Sequence, residues 1–579
     1  SLITGTLIVL VIMLLYQLEV PEAMMIPILM AYGVLQFRFA SILFNWIYKS
    51  KLIDLPKGLR EKFPPPSIQL LDSPCDVILL RPPSAVLSGP DCGEALGLGY
   101  LASVLRKEGY QTVIIDERLE KLDVMQAVEL IIAYNPKALG INLNFQYLAP
   151  VTQELIETLR DRNYTGHITL GGLYASVAAE VLMEEIPGVD TIVRFEGEVS
   201  YLELIKNLDR KLNWPEINGL VFRNDDRESV VNPLRSLIPD LGTVPMPARD
   251  HLDLAIQLGG YAYIISSRGC RGKCAYCVQS LSVSQPSGSR WRGRDPVDVV
   301  DEMEQAIKSS GARLFSFVDD DIFGPTKDGE NNAHRLARTI IDRGLDVSVL
   351  TSVQPKDVKP EVFALLKKAG FASVILAVDN FSQNVLNRYQ KYSNLADNFQ
   401  SIEVLDNLGI DAYLGIIMFD PQTTLEELAE NFQSMMGINH FLRPWQILSK
   451  LEVYHGSTLT LSFEEKGLLE KNGYFATYNF VDERVDAVYH ALENIITEAF
   501  PAISQLDQLR WGNINYSDAD QKVLDYCRDD LKKLMIEYNQ EILSFAMGIV
   551  NIQSESDVQL SVSELAGDDL LDQARILSN

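Results

Sequence analysis

Two long stretches of this chain alternate short apolar runs, rich in Val and Ile, with helix-like segments, and that alternation admits few folds. In the first stretch "CDVILLRPP", "QTVIIDE", "KALGINLNF", "HITLGGL" and "DTIVRFEGE" read as buried strands, with helical segments such as "VTQELIETLRDR" and "SVAAEVLMEEI" between them. Strands apolar on both faces belong to a parallel sheet covered by helices on each side. A doubly wound α/β domain over residues 67–215 is therefore expected. In the second stretch "AYIISSRG", "RLFSFVDDD", "DVSVLTS", "SVILAVDN" and "AYLGIIMFD" read as strands, each followed by a helical segment. That pattern predicts a full or partial (β/α) barrel over 251–440, joined to the first domain by a turn-rich connector over 216–250. In both architectures ligands collect beyond the carboxyl ends of the strands. In the first domain those ends carry "RPP", "NLNF", "GGL" and "FEGE"; in the second, the first strand ends in "SSRGCRGKCAYC".

The flanks differ from this α/β body. Residues 2–18, "LITGTLIVLVIMLLYQL", and 23–37, "AMMIPILMAYGVLQF", are uncharged apolar runs near the roughly 20 residues that span a bilayer. The segment 1–66 is read as a hydrophobic helical N-terminus with a Pro-rich linker. Two readings of residues 2–48 stand side by side: a membrane hairpin, which the acidic loop and trailing lysines fit, and a buried helical cap. Residues 441–579 read as a helical C-terminal domain with an acidic tail. The 579 residues carry a formal charge of −27, which disfavours nucleic-acid partners, whose phosphates require a basic surface. Three of the six cysteines, Cys75, Cys92 and Cys527, are scattered. No disulfide framework is visible, so a reducing, cytoplasmic compartment is expected, with membrane association where the N-terminus meets lipid.

The other three cysteines, Cys270, Cys274 and Cys277, fall within eight residues. Thiolates so close hold zinc or an iron–sulfur cluster. Structural zinc asks for a fourth ligand, and the nearest histidine, His251, lies 19 residues upstream of Cys270. Gly269 and Gly272 allow a tight wrap, and Arg268, Arg271 and Lys273 can offset the charge of a thiolate-ligated cluster. Spacing alone leaves iron–sulfur, zinc and a plain loop open.

Cys-x3-Cys-x2-Cys after the first strand of a βα barrel, with Tyr276 before the last cysteine, resembles the signature of radical SAM enzymes. The resemblance implies that Cys270, Cys274 and Cys277 hold a 4Fe–4S cluster whose open iron binds S-adenosylmethionine (SAM). It places Tyr276 near the adenine. "FVDDDIFGP" is similar to the family's second-strand segment and offers Asp320 and Asp321 for the methionyl amine. "LTSVQP" is similar to the third and puts Ser352 near the SAM carboxylate. "ILAVDNFSQNVLNRYQK" sits where relatives carry Gly-Ile-Glu-Ser, so Asp379 stands for the Glu and Asn380 for the Ser.

The first domain has neither a Gly-x-Gly-x-x-Gly after its first strand nor a Walker lysine. "RPP…LGLGYLASVLRKEGYQTVIID" and "ITLGGLYASVAAEVLMEEIPGVDTIVRFEGEVSYLELI" resemble the cobalamin-binding domain that precedes some radical SAM barrels. This implies cobalamin contacts from Leu98, Gly99, Tyr100, Asn142, Leu143, Gly171, Gly172, Glu196 and Gly197. Where many such domains carry Asp-x-His-x-x-Gly, this chain reads "DERLEK". Arg118 replaces the histidine, and a guanidinium has no lone pair for cobalt; Arg118 is expected either near the lower face of cobalt or in a surface pair with Asp116 or Glu117. The whole resemblance covers about residues 70–470 and implies a cobalamin-dependent radical SAM enzyme, most simply a methyltransferase. Such an enzyme makes a 5′-deoxyadenosyl radical from SAM and uses methylcobalamin to methylate an unactivated carbon. The same architecture also supports rearrangement, ring contraction or oxidative cyclisation. It calls for an external electron donor of the flavodoxin or ferredoxin type and a small-molecule or peptide substrate, for which Tyr474, Tyr478 and Asp482 in the C-terminal region are candidate contacts.

Overall fold

The structure, a computed structural model, describes residues 75–83, 92–324, 327–438, 440–494, 496–497, 536, 539–540 and 542–551. The apolar segment 1–66 and the acidic tail 553–579 lie outside the described residues. Within them, no helix is long and apolar enough to cross a membrane.

The first domain is built on seven strands: β1 (Val77–Arg81), β2 (Thr112–Asp116), β3 (Ala138–Asn142), β4 (His167–Gly171), β5 (Thr191–Val193), β6 (Leu220–Arg223) and β7 (Ser229–Val231). They lie in the order β2-β1-β3-β4-β5-β6-β7, with β1 to β5 parallel and β6 and β7 antiparallel. The first part of the expected connector thus completes the sheet. Val221 and Phe222 are buried against it, and the tight turn at 224–228 folds β7 back along β6.

Residue alternation along the strands sends side chains to two separate cores. Ile78, Leu80, Leu139, Ile141, Ile168 and Leu170 pack on one face against helices that contribute Ile131, Leu155 and Leu159. Val77 and Leu79 pack on the other, against Leu98, Leu105, Tyr201 and Leu204. Each such side chain fully buried contributes about 1.5–3 kcal/mol, and the two-sided demand makes the domain doubly wound.

The second domain contains β8 (Ala262–Ile264), β9 (Ser267–Arg268), β10 (Arg292–Gly293), β11 (Leu314–Phe317), β12 (Ser348–Val353), β13 (Phe371–Asp379) and β14 (Asp411–Ile416). Five of them form an all-parallel curved sheet in the order β14-β13-β12-β11-β8. A parallel bridge between Phe419 and Lys450 continues the pairing beyond β14. This is a partial barrel. The helices between its strands have strong end signals. The helix Pro296–Ser310 starts with Asp295 as cap and Pro at its first turn, and stops at Gly311 with φ of 70°. The helix Leu425–Met436 starts with a Thr424–Glu427 capping box; such caps contribute about 1 kcal/mol each.

"AYIISSRG" divides into two strands. After Ile264 the chain leaves the barrel because the Asp319 carboxylate accepts from Ser266 N at 3.1 Å, Ser266 Oγ at 2.8 Å and Ser267 Oγ at 2.5 Å. Residues 267–268 then pair antiparallel with β10, and this detour aims the cysteine loop across the barrel mouth.

Candidate active site

The loop Cys270–Cys277 depends on two glycines. Gly269 has φ of +91°, and a Cβ there would lie 1.9 Å from the Arg290 carbonyl oxygen, so only glycine fits. Gly272 N donates to Cys270 Sγ at 3.2 Å, and Arg290 Nη2 donates to the Gly272 carbonyl at 2.8 Å. Further along, Ala275 N donates to the Tyr389 carbonyl and Leu459 N to the Ala275 carbonyl, each at 2.8 Å. Those bonds tie the loop to the barrel and to the C-terminal region. Burial pushes the thiols upward, Cys270 to about 12 with Asp321 adding to the effect and Cys277 to about 11; Cys274 is raised too, again mainly by burial. Thiols held protonated release protons when they ligate a metal. Among the described residues no three His, Cys, Asp or Glu side chains converge on one metal-ion position. A loop that presents three sulfurs, without a fourth ligand, suits a polynuclear iron–sulfur cluster with one iron left open.

Charged groups surround this loop. Arg271 is paired to Asp321 through Nε at 3.2 Å and to Asp357, and its guanidinium lies 4.7 Å from the Tyr392 ring. Asp321 Oδ2 is 3.9 Å from Cys270 Sγ, and Asp320 accepts from Gln279 Nε2 at 2.7 Å. Ser352 is half-buried near the end of β12, beside Ile375 of β13. Tyr276 is half-buried, edge-on against Tyr389, and its hydroxyl donates to Asp379 Oδ2 at 2.6 Å. Asp379 has φ of +61°, a costly backbone for an aspartate, at the point where the β13–β14 register shifts.

The same Asp379 oxygen lies 2.5 Å from Lys391 Nζ, whose side chain is only 1% exposed. Burial disfavours the ammonium, but the charge of Asp379, helped by Cys274 and Cys270 once these are thiolates, outweighs it and holds its pKa above the usual lysine value. Despite the ionic contact, Nζ makes no well-directed hydrogen bond. A buried ammonium thus stands beside the cysteines with hydrogen-bond donors unspent. Sequence reasoning missed Lys391, because nothing in "NRYQKYSN" shows that this lysine folds under the loop.

A cavity of about 340 Å³ opens between the strand ends of the first domain and the barrel mouth. From the first domain Leu98, Tyr100, Asn142, Gly171, Gly172, Glu196 and Gly197 line it; from the barrel side come Arg268, Gln279 and Asp320. Three of the expected cobalamin contacts lie elsewhere. A Cβ on Gly99 would stand 2.5 Å from the Ala248 carbonyl, so Gly99 serves the close approach of the connector. Leu143 is packed in the core on the opposite face of the sheet. Arg118 lies on the short helix Glu117–Glu120 after the edge strand β2 and does not line the cavity. Tyr474, Tyr478 and Asp482 also stay outside the cavity. The Tyr474 hydroxyl donates to Gln153 at 2.8 Å, Tyr478 donates to the Phe419 carbonyl at 3.1 Å, and Asp482 pairs with Arg484 at 2.7 Å.

Buried ion pairs hold the two walls of the cavity together. Arg268 reaches Glu198 at 2.5 Å and Glu196 at 3.4 Å, Arg292 reaches Glu196 at 2.8 Å, and Arg249 binds both Glu94 and Glu302. Arg268, expected to offset cluster charge, instead fastens the two domains, and its guanidinium lies 5.2 Å from the Tyr100 ring.

Residues 85–205 match the B12 binding domain and residues 264–435 the Radical SAM superfamily. The chain belongs to the cobalamin-binding radical SAM enzymes. Its cofactors are a 4Fe–4S cluster, SAM and cobalamin. A methyltransferase of Pyrococcus horikoshii, itself uncharacterised, is 27% identical over 342 residues, covering 58% of this chain and 72% of that one. An anaerobic magnesium-protoporphyrin IX monomethyl ester cyclase of Synechocystis is 25% identical, covering 57% and 66%. The hopanoid C-3 methylase of Methylococcus capsulatus is 26% identical, covering 56% and 61%. Two solved structures share the fold. OxsB, with aqua-cobalamin and SAM bound, superposes with a TM-score of 0.68 at 17% identity over 87% of this chain and 79% of its own. TsrM of Kitasatospora setae gives 0.56 at 19% identity over 68% and 76%.

Proposed function

We propose that this protein is a methyltransferase that places a methyl group on an unactivated carbon of a small molecule or peptide. The observation that carries the reading is the shared cavity: the strand ends of the B12 domain and the cysteine-bearing mouth of the barrel line one volume. When bound, the cluster and SAM supply a hydrogen-abstracting radical, and cobalamin supplies the methyl group.

The chain's own residues would then act as follows. Cys270, Cys274 and Cys277 hold the cluster. Lys391, steadied by Asp379, meets the SAM carboxylate. Asp320, Asp321 and Ser352 lie on the same rim for the remaining polar atoms of SAM, while Tyr276 is spent in holding Asp379. The buried arginine–glutamate pairs hold the two walls of the cavity together, so that groups bound on either side would face each other. An external one-electron donor completes the cycle, and residues 2–48 are the candidate contact with a membrane.

The likeness to cyclases supports a second reading, in which the same site drives cyclisation or rearrangement without methylation. Anaerobic incubation of the reconstituted enzyme with SAM and reductant separates the two. Formation of both 5′-deoxyadenosine and S-adenosylhomocysteine is expected for the methyltransferase; 5′-deoxyadenosine alone, with cobalamin never methylated, would assign the second reading.

A further inference from the structure

The cysteine loop has two sides. One meets the cavity, which Gln279 and Asp320 help to line. The other comes close to solvent at Gly272, where a Cβ would stand 3.2 Å from Cys270 Sγ and 3.7 Å from Cys274 Sγ. Gly272 is half-exposed and Lys273 is exposed. Two of the three sulfurs that would hold the cluster therefore lie one layer of backbone beneath the surface.

The turn after the helix Gln383–Arg388 borders this side. Its Tyr389 carbonyl accepts from Ala275 N at 2.8 Å. Lys391 then turns inward, with its side chain 1% exposed, and Tyr392 turns outward, 40% exposed. Two cations sit on the Tyr392 ring: the Arg271 guanidinium at 4.7 Å and Lys356 Nζ at 4.5 Å from its centroid. Arg290 adds a third charge at the loop, donating to the Gly272 carbonyl at 2.8 Å. The carboxylates at hand, Asp321 and Asp357, are both engaged by Arg271. Among the described residues no carboxylate pairs with Lys273, Arg290 or Lys356.

In a chain of formal charge −27, this approach to the sulfurs is bordered by unpaired cations around one exposed aromatic ring. Like charges gathered on a surface repel and gain nothing for the fold. They gain when a negative partner arrives, and such complementarity raises the rate of encounter more than the affinity. Redox encounters use small interfaces, so a patch of this extent is sufficient for one. We propose that the face around Gly272, Lys356 and Tyr392 is the docking site of the one-electron donor, an acidic carrier protein of the flavodoxin class that presents its redox group among carboxylates. The donor loses one electron and the cluster gains it, with no bond made or broken. The inference rests on the reading that an external one-electron donor completes the cycle.

The test is the rate at which the cluster absorption bleaches in the full-length reconstituted protein, mixed anaerobically at low ionic strength with fully reduced flavodoxin or with reduced methyl viologen, a small cation. Lys356→Glu is expected to slow reduction by flavodoxin roughly three- to tenfold, with Lys356→Gln between it and the wild type, and the difference should shrink as salt is added. Reduction by methyl viologen should be no slower in either variant, and iron per chain should match the wild type. Equal flavodoxin rates in all three proteins, a loss that salt does not diminish, or slowing by both reductants together would each overturn the proposal. A wild type that methyl viologen reduces and flavodoxin does not would overturn the class of donor. A wild type that neither bleaches would overturn the underlying reading as well.

Discussion

Replacing Lys391 with methionine isolates the buried charge under the cysteine loop. Lys391 is 1% exposed at its side chain and Asp379 is 8% exposed, with 2.5 Å between Nζ and Oδ2. Removing the ammonium leaves Asp379 buried with only the Tyr276 hydroxyl, at 2.6 Å, to stabilise it. Breaking a buried pair from one side costs about 3–5 kcal/mol. For a barrel of this size, each kcal/mol moves the midpoint by about 2–4 °C, so a drop of roughly 6–20 °C in Tm is expected for the barrel transition. Asp379→Asn should cost less, because its neutral amide can still accept from Tyr276. The double variant should recover most of the loss, giving a coupling energy of about 2–3 kcal/mol. Thermal unfolding of the four proteins, without cofactors, measures the cycle. A second readout separates charge from packing: Lys391→Arg should retain SAM binding to the reconstituted protein, whereas Lys391→Met should lose it. Additive single effects in the cycle, or unchanged SAM binding in Lys391→Met, would refute the reasoning.

Three further outcomes follow from other parts of the molecule. Gly269→Ala sets a methyl group 1.9 Å from the Arg290 carbonyl in a left-handed backbone, so iron bound after reconstitution should fall by at least half, measured as iron per chain. Arg249→Leu leaves Glu94 buried and unpaired and Glu302 with Arg294 alone; a loss of about 3–5 kcal/mol is expected, read as faster proteolysis between the two domains. Glu117, buried beside Asp116, Glu120 and Asp123, has its carboxyl pushed up to about 9, chiefly by burial. The folded state therefore keeps this proton while the unfolded chain loses it above about pH 4.3. Stability should fall as pH rises from there towards 9, and Glu117→Gln should flatten that dependence in denaturant titrations; a variant as pH-sensitive as the wild type would count against it.

The strands and helices were legible because each is encoded locally. The paired apolar runs demanded burial on both faces, and the cysteine spacing marked the mouth of the barrel. What escaped depends on long-range register. Lys391 reads as a surface lysine until the turn after the helix Gln383–Arg388 carries it beneath Cys274. Gly99 and Leu143 flank true cavity residues, but one faces the connector and the other the far side of the sheet, as the helical and strand periods require. Arg268 is the sharpest instance. Beside the first cysteine it suggests a counter-charge for the cluster, yet the detour imposed by Asp319 turns it away towards Glu196 and Glu198. Two domains that read as separate units therefore meet through a residue of the cysteine motif itself, and any change that loosens the Arg268 clamp must also disturb the loop two residues later. Cluster retention and cobalamin binding should accordingly decline together in Arg268→Gln, although the side chain pairs with Glu196 and Glu198 and with none of the three thiols; loss of one with full retention of the other would show that the clamp and the loop are independent.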